Sequence, residues 1–374
     1  MKVAVGLSGG VDSAVTAAYL LKQGHEVIGV SMSIWDGPES IITEGNACYG
    51  PDEKEDLEAA SQIADLLKIP FHVFPIPDLY EDTVLRHFKT EYAEGRTPNP
   101  CVICNARMKF GALPDNMLRA GLDCEKIATG HYARIESGKN ASSFLLKEAS
   151  DKKKDQTYFL HRLERKTLSS ILFPIGHLTK EMVRQMAEEW ELPVYNKKDS
   201  KGFFSGDYRQ ILNFQERTGE IVDLDGRLHG MHSGIWNFTI GQRKGLGIED
   251  RNLFVLRLDK ANNRVIVGDR KHLYRSEFEC ADLNWLMDFK DDEFEVDVKI
   301  SNTHPRASAV LKIISPDRVS VRYKEPQVAI APGQSAVFYI NEFVLGGGFI
   351  TSIKDSLFDE KENSVIEAAA GKDA

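Results

Sequence analysis

At 374 residues the chain is longer than one hydrophobic core usually supports, so two or three domains are expected. With 42% hydrophobic and 28% charged residues its composition is that of globular protein, without the run of about eighteen apolar residues that spans a bilayer. A formal net charge of −9 excludes a global attraction to nucleic acid, so a polyanionic partner has to be held by local basic patches.

Met1 to Leu7 is too short an apolar run for a secretory signal, and a cytoplasmic location is expected. Val3 to Leu7 reads as a buried strand and Ala14 to Gln23 as the helix after it, ended by Gly24. Glu26 to Met32, Phe71 to Phe74 and Ile127 to Thr129 read as further strands, Leu57 to Leu67 as a helix, and Val183 to Trp190 as the last clear helix before Pro193. This alternation predicts an α/β fold with a doubly wound parallel sheet over residues 1–205. Short β segments separated by glycines follow, and residues 206–275 are expected to form a small, mostly β central domain with strands at Phe254 to Leu258 and Arg264 to Val267. Alternating segments from Phe294 to Ile340 predict a C-terminal β-barrel over 276–358, and the polar, then Ala-rich tail 359–374 reads as disordered.

Ser8-Gly9-Gly10-Val11-Asp12-Ser13 lies between the first strand and its helix. Glycines let the backbone turn tightly against phosphate oxygens, and the free N–H groups of the helix start point at the anion. The loop lacks the Gly-Lys-Ser/Thr of a γ-phosphate-gripping motif, so ATP cleavage between the α- and β-phosphates fits it better. Asp12 is the candidate to hold Mg²⁺ or to orient pyrophosphate.

The five cysteines are an odd number in a reducing compartment, so no disulfide framework is expected. Cys101-Val102-Ile103-Cys104 reads as two metal ligands, a redox couple or a persulfide relay. A second CxxC for a Cys₄ zinc site is absent from the sequence. Cys48, Cys124 and Cys280 read as buried small apolar residues. His131, after Gly130 at a strand end, is expected to face the ligand crevice of the sheet. Arg96, Arg107, Lys109, Lys152, Lys153, Lys154, Arg243 and Lys244 are candidate phosphate contacts.

The loop, together with Gly95-Arg96-Thr97-Pro98-Asn99-Pro100-Cys101-Val102-Ile103-Cys104-Asn105, Ala128-Thr129-Gly130-His131-Tyr132, Lys154-Asp155-Gln156-Thr157-Tyr158, Phe238-Thr239-Ile240-Gly241-Gln242-Arg243 and Pro332-Gly333-Gln334-Ser335, resembles in order the motifs of the bacterial tRNA-specific 2-thiouridylases. These ATP-pyrophosphatase enzymes replace the C2 oxygen of the wobble uridine with sulfur. The resemblance implies ATP-dependent 2-thiolation of tRNAs for Lys, Glu and Gln, with Mg²⁺ and a protein that donates persulfide or sulfide. It implies an ATP site lined by Gly6, Leu7, Ser8, Gly9, Gly10, Val11, Asp12, Ser13, Met32 and Gly130. It further implies Asn99, Pro100 and Cys101 beside the target base, His131, Lys154, Asp155, Gln156 and Gln334 against tRNA, and Cys104 nearest the reacting carbon.

The chain departs from the pattern where the family carries a distant, persulfide-bearing cysteine. Here the stretch reads Lys197-Lys198-Asp199-Ser200-Lys201-Gly202-Phe203-Phe204, and Phe204 cannot carry sulfur. Three readings stay open: Cys101 and Cys104 share the sulfur chemistry, they ligate an iron-sulfur cluster with an open iron and an unidentified third ligand, or the chain is a catalytically silent tRNA-binding paralogue.

Overall fold

The computed structural model describes residues 1–38, 41, 43, 47–138, 143–200, 202–250 and 252–354. The tail expected to be disordered lies outside them. In chain order the first region runs β1 (Lys2–Gly6), α1 (Val11–Lys22), β2 (Glu26–Ser33), α2 (Glu53–Leu67), β3 (Phe71–Pro75), α3 (Pro77–Tyr80), α4 (Arg86–Ala93), α5 (Pro100–Ile103), α6 (Leu113–Arg119), β4 (Lys126–Ala128), the hairpin β5 (Ala133–Ser137) and β6 (Phe144–Glu148), β7 (Ile171–Leu172) and α7 (Lys180–Glu189).

The five strands β3-β2-β1-β4-β7 form one sheet, every neighbouring pair parallel. Successive side chains of β1 point to opposite faces. Val3 and Val5 pack with Ala14 and Ala18 of α1, Ala60 and Ile63 of α2, and Val183 and Ala187 of α7. Ala4 faces the other way and joins Ile28 and Val30 of β2, Leu113 and Met117 of α6, and Val337 and Tyr339 from the C-terminal part of the chain. Burial of each such Val or Ile contributes about 1.5–3 kcal/mol. With both faces covered, the only open rim of interest is the C-terminal end of the strands, where order reverses between β1 and β4.

The second region adds α8 (Arg209–Leu212), β8 (Gly219–Asp223), β9 (Leu228–His232), β10 (Phe254–Asp259) and β11 (Arg264–Gly268), in the sheet order β10-β11-β8-β9. The third is a barrel of β12 (Tyr274–Trp285), β13 (Glu293–Lys299), β14 (Ala307–Ser315), β15 (Arg318–Val328), β16 (Ser335–Ile340) and β17 (Phe343–Ile353). Its antiparallel ladder closes through β12 against β17. The hairpin β5–β6 extends this sheet by pairing Lys147 with Phe343, so the barrel is attached to the first region by backbone bonds as well as by side chains.

The doubly wound α/β sheet and the barrel agree with the expected fold. Helix starts differ: α1 begins at Val11 and α2 at Glu53, ahead of the apolar periodicity. The first turn of α2 carries acidic Glu53, Glu55 and Asp56, which favour the positive helix start. The helical segments 77–93 and 100–119 lie outside the expected elements. Wide π-type turns at Glu81–Leu85 and Cys104–Ala112 break their 3.6-residue period.

Candidate active site

The phosphate loop turns at Gly9, whose φ of +66° is in the left-handed region. Gly10 occupies the N-cap of α1 and brings no side chain to cap the helix. The loop is pre-shaped by its own hydroxyls: Ser8 N–H donates to Ser13 Oγ at 3.2 Å, and Ser13 Oγ donates to the Gly10 carbonyl at 3.0 Å. Gly130, at the end of β4, presses on the same helix start. A Cβ there would lie 2.7 Å from the Asp12 carbonyl carbon and 2.8 Å from Ser13 N. The loop, Gly130 and the half-buried Met32 at the end of β2 therefore line one rim of the sheet.

Cations ring this loop. Lys180, buried at the start of α7, donates to both carboxylate oxygens of Asp12 at 2.8 Å. Tyr132 OH donates to Asp12 Oδ1 at 2.9 Å. Lys180 also meets Asp199 Oδ1 at 2.8 Å, while Lys154 and Arg184 reach Asp199 at 2.9 and 3.0 Å. Burial opposes the charge on Asp199, but hydrogen bonds from Lys180 and Lys154 outweigh it and hold the carboxyl at about 2. Lys197 Nζ donates to the Gly9 carbonyl at 3.1 Å and to Asp56 at 2.6 Å. The 197–200 stretch thus folds over the phosphate loop. Both oxygens of Asp12 are committed to an ammonium and a phenol, an arrangement suited to aiming Lys180 and poorly suited to ligating Mg²⁺.

The CxxC pair opens a helix. Asn99 caps it, its Oδ1 accepting from Cys101 N–H at 3.2 Å, and Pro100 sits at the first helical position. Cys104 is buried and begins the π-type stretch. Burial pushes its thiol up to about 11, with Lys109 pulling the other way. Cys101 is raised by burial, and Cys48 and Cys104 add to the effect. Burial alone would lower the Lys109 ammonium, but Cys104, Cys48 and Cys101 together raise it. Lys109, partly exposed, is thus coupled to these sulfurs. It also helps burial keep His131 neutral, well below the ordinary histidine value. His131 is held by Thr129 Oγ1 at Nδ1, 2.7 Å away, and lies against Phe110 and Phe173. Gly130 meets Asp12 and Ser13, and its neighbour His131 meets Phe110 in the stretch that Cys104 begins, so these contacts link the two motifs.

Cys48 is a correction to the expectation of a buried apolar residue: it is exposed. Cys280 is buried in the barrel core and Cys124 partly buried beneath the sheet. Among the described residues no group of three or more His, Cys, Asp or Glu side chains converges to hold a metal ion.

Of the residues expected against tRNA, Lys154 is exposed and near the loop through Asp199. Asp155 is turned inward: it is buried, and its oxygens accept from Ala149 N–H at 2.9 Å and Thr157 Oγ1 at 2.6 Å. Its carboxylate shapes a turn and has no face for RNA. Gln156 Oε1 accepts from Tyr132 N–H at 2.9 Å, and Gln334 Oε1 accepts from Tyr158 OH at 3.2 Å. Lys180 and Tyr132 were missed as site residues. A Tyr directly after Gly130-His131 was the available signal for one, and Lys180 carries none.

Fold and site together define a phosphate-loop, nucleotide-handling α/β protein with two appended β modules. The chain matches the family models described as tRNA methyl transferase HUP domain at residues 1–204, tRNA methyl transferase PRC-barrel domain at 210–269 and aminomethyltransferase beta-barrel domain at 275–350. It is 45% identical over 356 residues to the tRNA-specific 2-thiouridylase MnmA of Endomicrobium trichonymphae, covering 94% of this chain and 99% of that one. It is 41% identical over 360 residues to the tRNA-specific 2-thiouridylase MnmA of Acetivibrio thermocellus, covering 93% and 99%. The chain belongs to the tRNA-specific 2-thiouridylase family.

Proposed function

We propose that the protein thiolates C2 of the wobble uridine in tRNAs for Lys, Glu and Gln, using ATP and a sulfur donor protein. A tRNA substrate calls for the cytoplasm. The observation that carries this reading is that Gly130 packs on the phosphate-loop backbone at Asp12 and Ser13, while its neighbour His131 packs on Phe110 of the helical stretch that Cys104 begins. One motif suits cleavage of a nucleotide, the other suits sulfur.

A carbonyl oxygen at C2 is a poor leaving group. Attack of that oxygen on the α-phosphorus of ATP expels pyrophosphate and makes AMP the leaving group; sulfur then attacks C2 and AMP departs. The N–H groups of the Gly9 to Ser13 turn and the Lys180 and Lys197 ammoniums are set to hold the departing pyrophosphate. Neutral His131 acts as a hydrogen-bonding group at the base and not as a charge. Cys104 delivers or receives sulfur, with Lys109 favouring its thiolate. The uridine has to leave the anticodon stack to reach both motifs, so contacts to a single-stranded loop are required.

The test incubates the protein with unmodified tRNA, ATP and Mg²⁺, and either sulfide or a persulfide, followed by mass analysis of nucleosides. 2-Thiouridine is the expected product. Its absence with both donors, in air and without it, overturns the reading in favour of a silent tRNA-binding protein.

A further inference from the structure

We propose that Cys48 is the sulfur carrier of this site, taking the part that Phe204 cannot play; the proposal rests on the thiolation reading above. Cys48 N–H donates to the Gly202 carbonyl at 3.4 Å, and Tyr49 N–H to the Phe203 carbonyl at 3.0 Å. Two successive bonds set residues 48–49 alongside 202–203, immediately before Phe204. The ring of Tyr49 stacks on Phe203 at 5.5 Å and on Tyr80 at 5.4 Å. Tyr49, Tyr80, Phe203, Phe204, Met108 and Cys104 share one buried cluster, with Cys101 packed at its margin. Cys48 is thereby held next to Tyr49, which packs in the cluster that contains Phe204 and Cys104.

Exposure grades along the three sulfurs. Cys48 is exposed, Cys101 partly buried and Cys104 buried. The outermost sulfur can meet a donor protein while the inner pair stays with the base. The three do not form a ready-made metal triad. Cys48 lies on the connection between β2 and α2.

The chemistry balances as follows. A persulfide donor R–S–SH passes its terminal sulfur to the Cys48 thiolate, leaving R–SH and Cys48–S–SH. The terminal sulfur attacks C2 of the adenylated uridine, and AMP leaves with the bonding pair of the C–O bond. A CxxC thiolate then attacks Cys48 Sγ; the S–S bond breaks, its electron pair goes to the sulfur on C2, and 2-thiouridine is released. Two thiols are oxidised to a disulfide and the transferred sulfur is reduced by the same two electrons. A thiol reductant resets the disulfide.

The experiment is a single turnover of the full chain with unmodified tRNA, ATP and Mg²⁺, and glutathione persulfide, followed by alkylation and peptide mass mapping. The expected result is a disulfide joining Cys48 to Cys101 or Cys104. Cys48→Ser, checked for an unaltered melting curve, is expected to lose at least 100-fold in persulfide-driven thiolation, while Cys124→Ser, remote from the site, turns over normally. Normal turnover by Cys48→Ser, or a disulfide confined to Cys101 and Cys104, overturns the proposal while leaving the thiolation reading standing. A wild-type protein that makes no 2-thiouridine ends both.

Discussion

The Lys180 ammonium lies 2.8 Å from each carboxylate oxygen of Asp12 and 2.8 Å from Asp199 Oδ1. One side chain from α7 thereby ties the phosphate loop to the 197–200 stretch that folds over it. Lys180→Met leaves two carboxylates without their shared cation. The expected cost is about 2–3 kcal/mol in denaturant unfolding, below the full price of a buried pair because Asp199 is partly solvated. ATP affinity falls with it, by at least tenfold in equilibrium binding.

Acid stability follows from the same network. The folded carboxyl of Asp199 titrates at about 2 against an ordinary 3.8. A depressed value means that its contribution is fully present above 3.8 and is lost as pH falls from 3.8 through about 2. After discounting for solvent at a side chain 37% exposed, about 1–2 kcal/mol is at stake. Unfolding curves between these limits are expected to lose that slope in Asp199→Asn; an unchanged slope removes the network from the account.

Gly130→Ala tests the close approach of β4 to the helix start. The added methyl would sit within 3 Å of Asp12 and Ser13 backbone atoms, which have no freedom to yield. Loss of ATP binding with a largely intact fold is expected by calorimetry and melting.

The barrel's role in holding the CxxC segment is read by Gly333→Ala. Gly333 has φ +89°, and a Cβ would lie 2.8 Å from Thr97 N, whose N–H donates to the Pro332 carbonyl at 2.8 Å. A left-handed alanine costs about 1–2 kcal/mol before any clash is added. Faster proteolysis between residues 95 and 101 is the expected sign that this contact seats Asn99 and Cys101.

Lys154 and Asp155 are neighbours with opposite roles. Lys154→Ala is expected to weaken tRNA binding and to reduce its salt slope by about one. Asp155→Ala strands the buried Ala149 N–H and leaves Thr157 Oγ1 with Tyr339 OH alone, and is expected to lower stability by about 1–3 kcal/mol while leaving the salt slope alone. Filter binding across a salt series separates the two.

What could be read from the chain was local. Ser8 to Ser13 announces itself because strand, turn and helix start are contiguous, and the CxxC because Asn99 and Pro100 cap it. Lys180 was invisible because its partner Asp12 is distant in sequence and nothing in α7 marks one lysine among several. The exposure of Cys48 has a related cause: its surroundings are set by backbone bonds from residues 48–49 to Gly202 and Phe203 and by the packing of Tyr49 on Phe203, contacts distant in sequence. The helical stretch through Cys104 escaped notice because its π-type turns erase the periodicity that pattern reading relies on.

The central claim is that this phosphate loop activates a uridine carbonyl by adenylation. It is tested most directly with tRNA carrying ¹⁸O at C2 of the wobble uridine, in a single turnover with ATP and a persulfide. The account predicts that the label leaves in the phosphate of AMP as 2-thiouridine forms. Label found in pyrophosphate or water, or retained in the nucleoside while ATP is consumed, would contradict it.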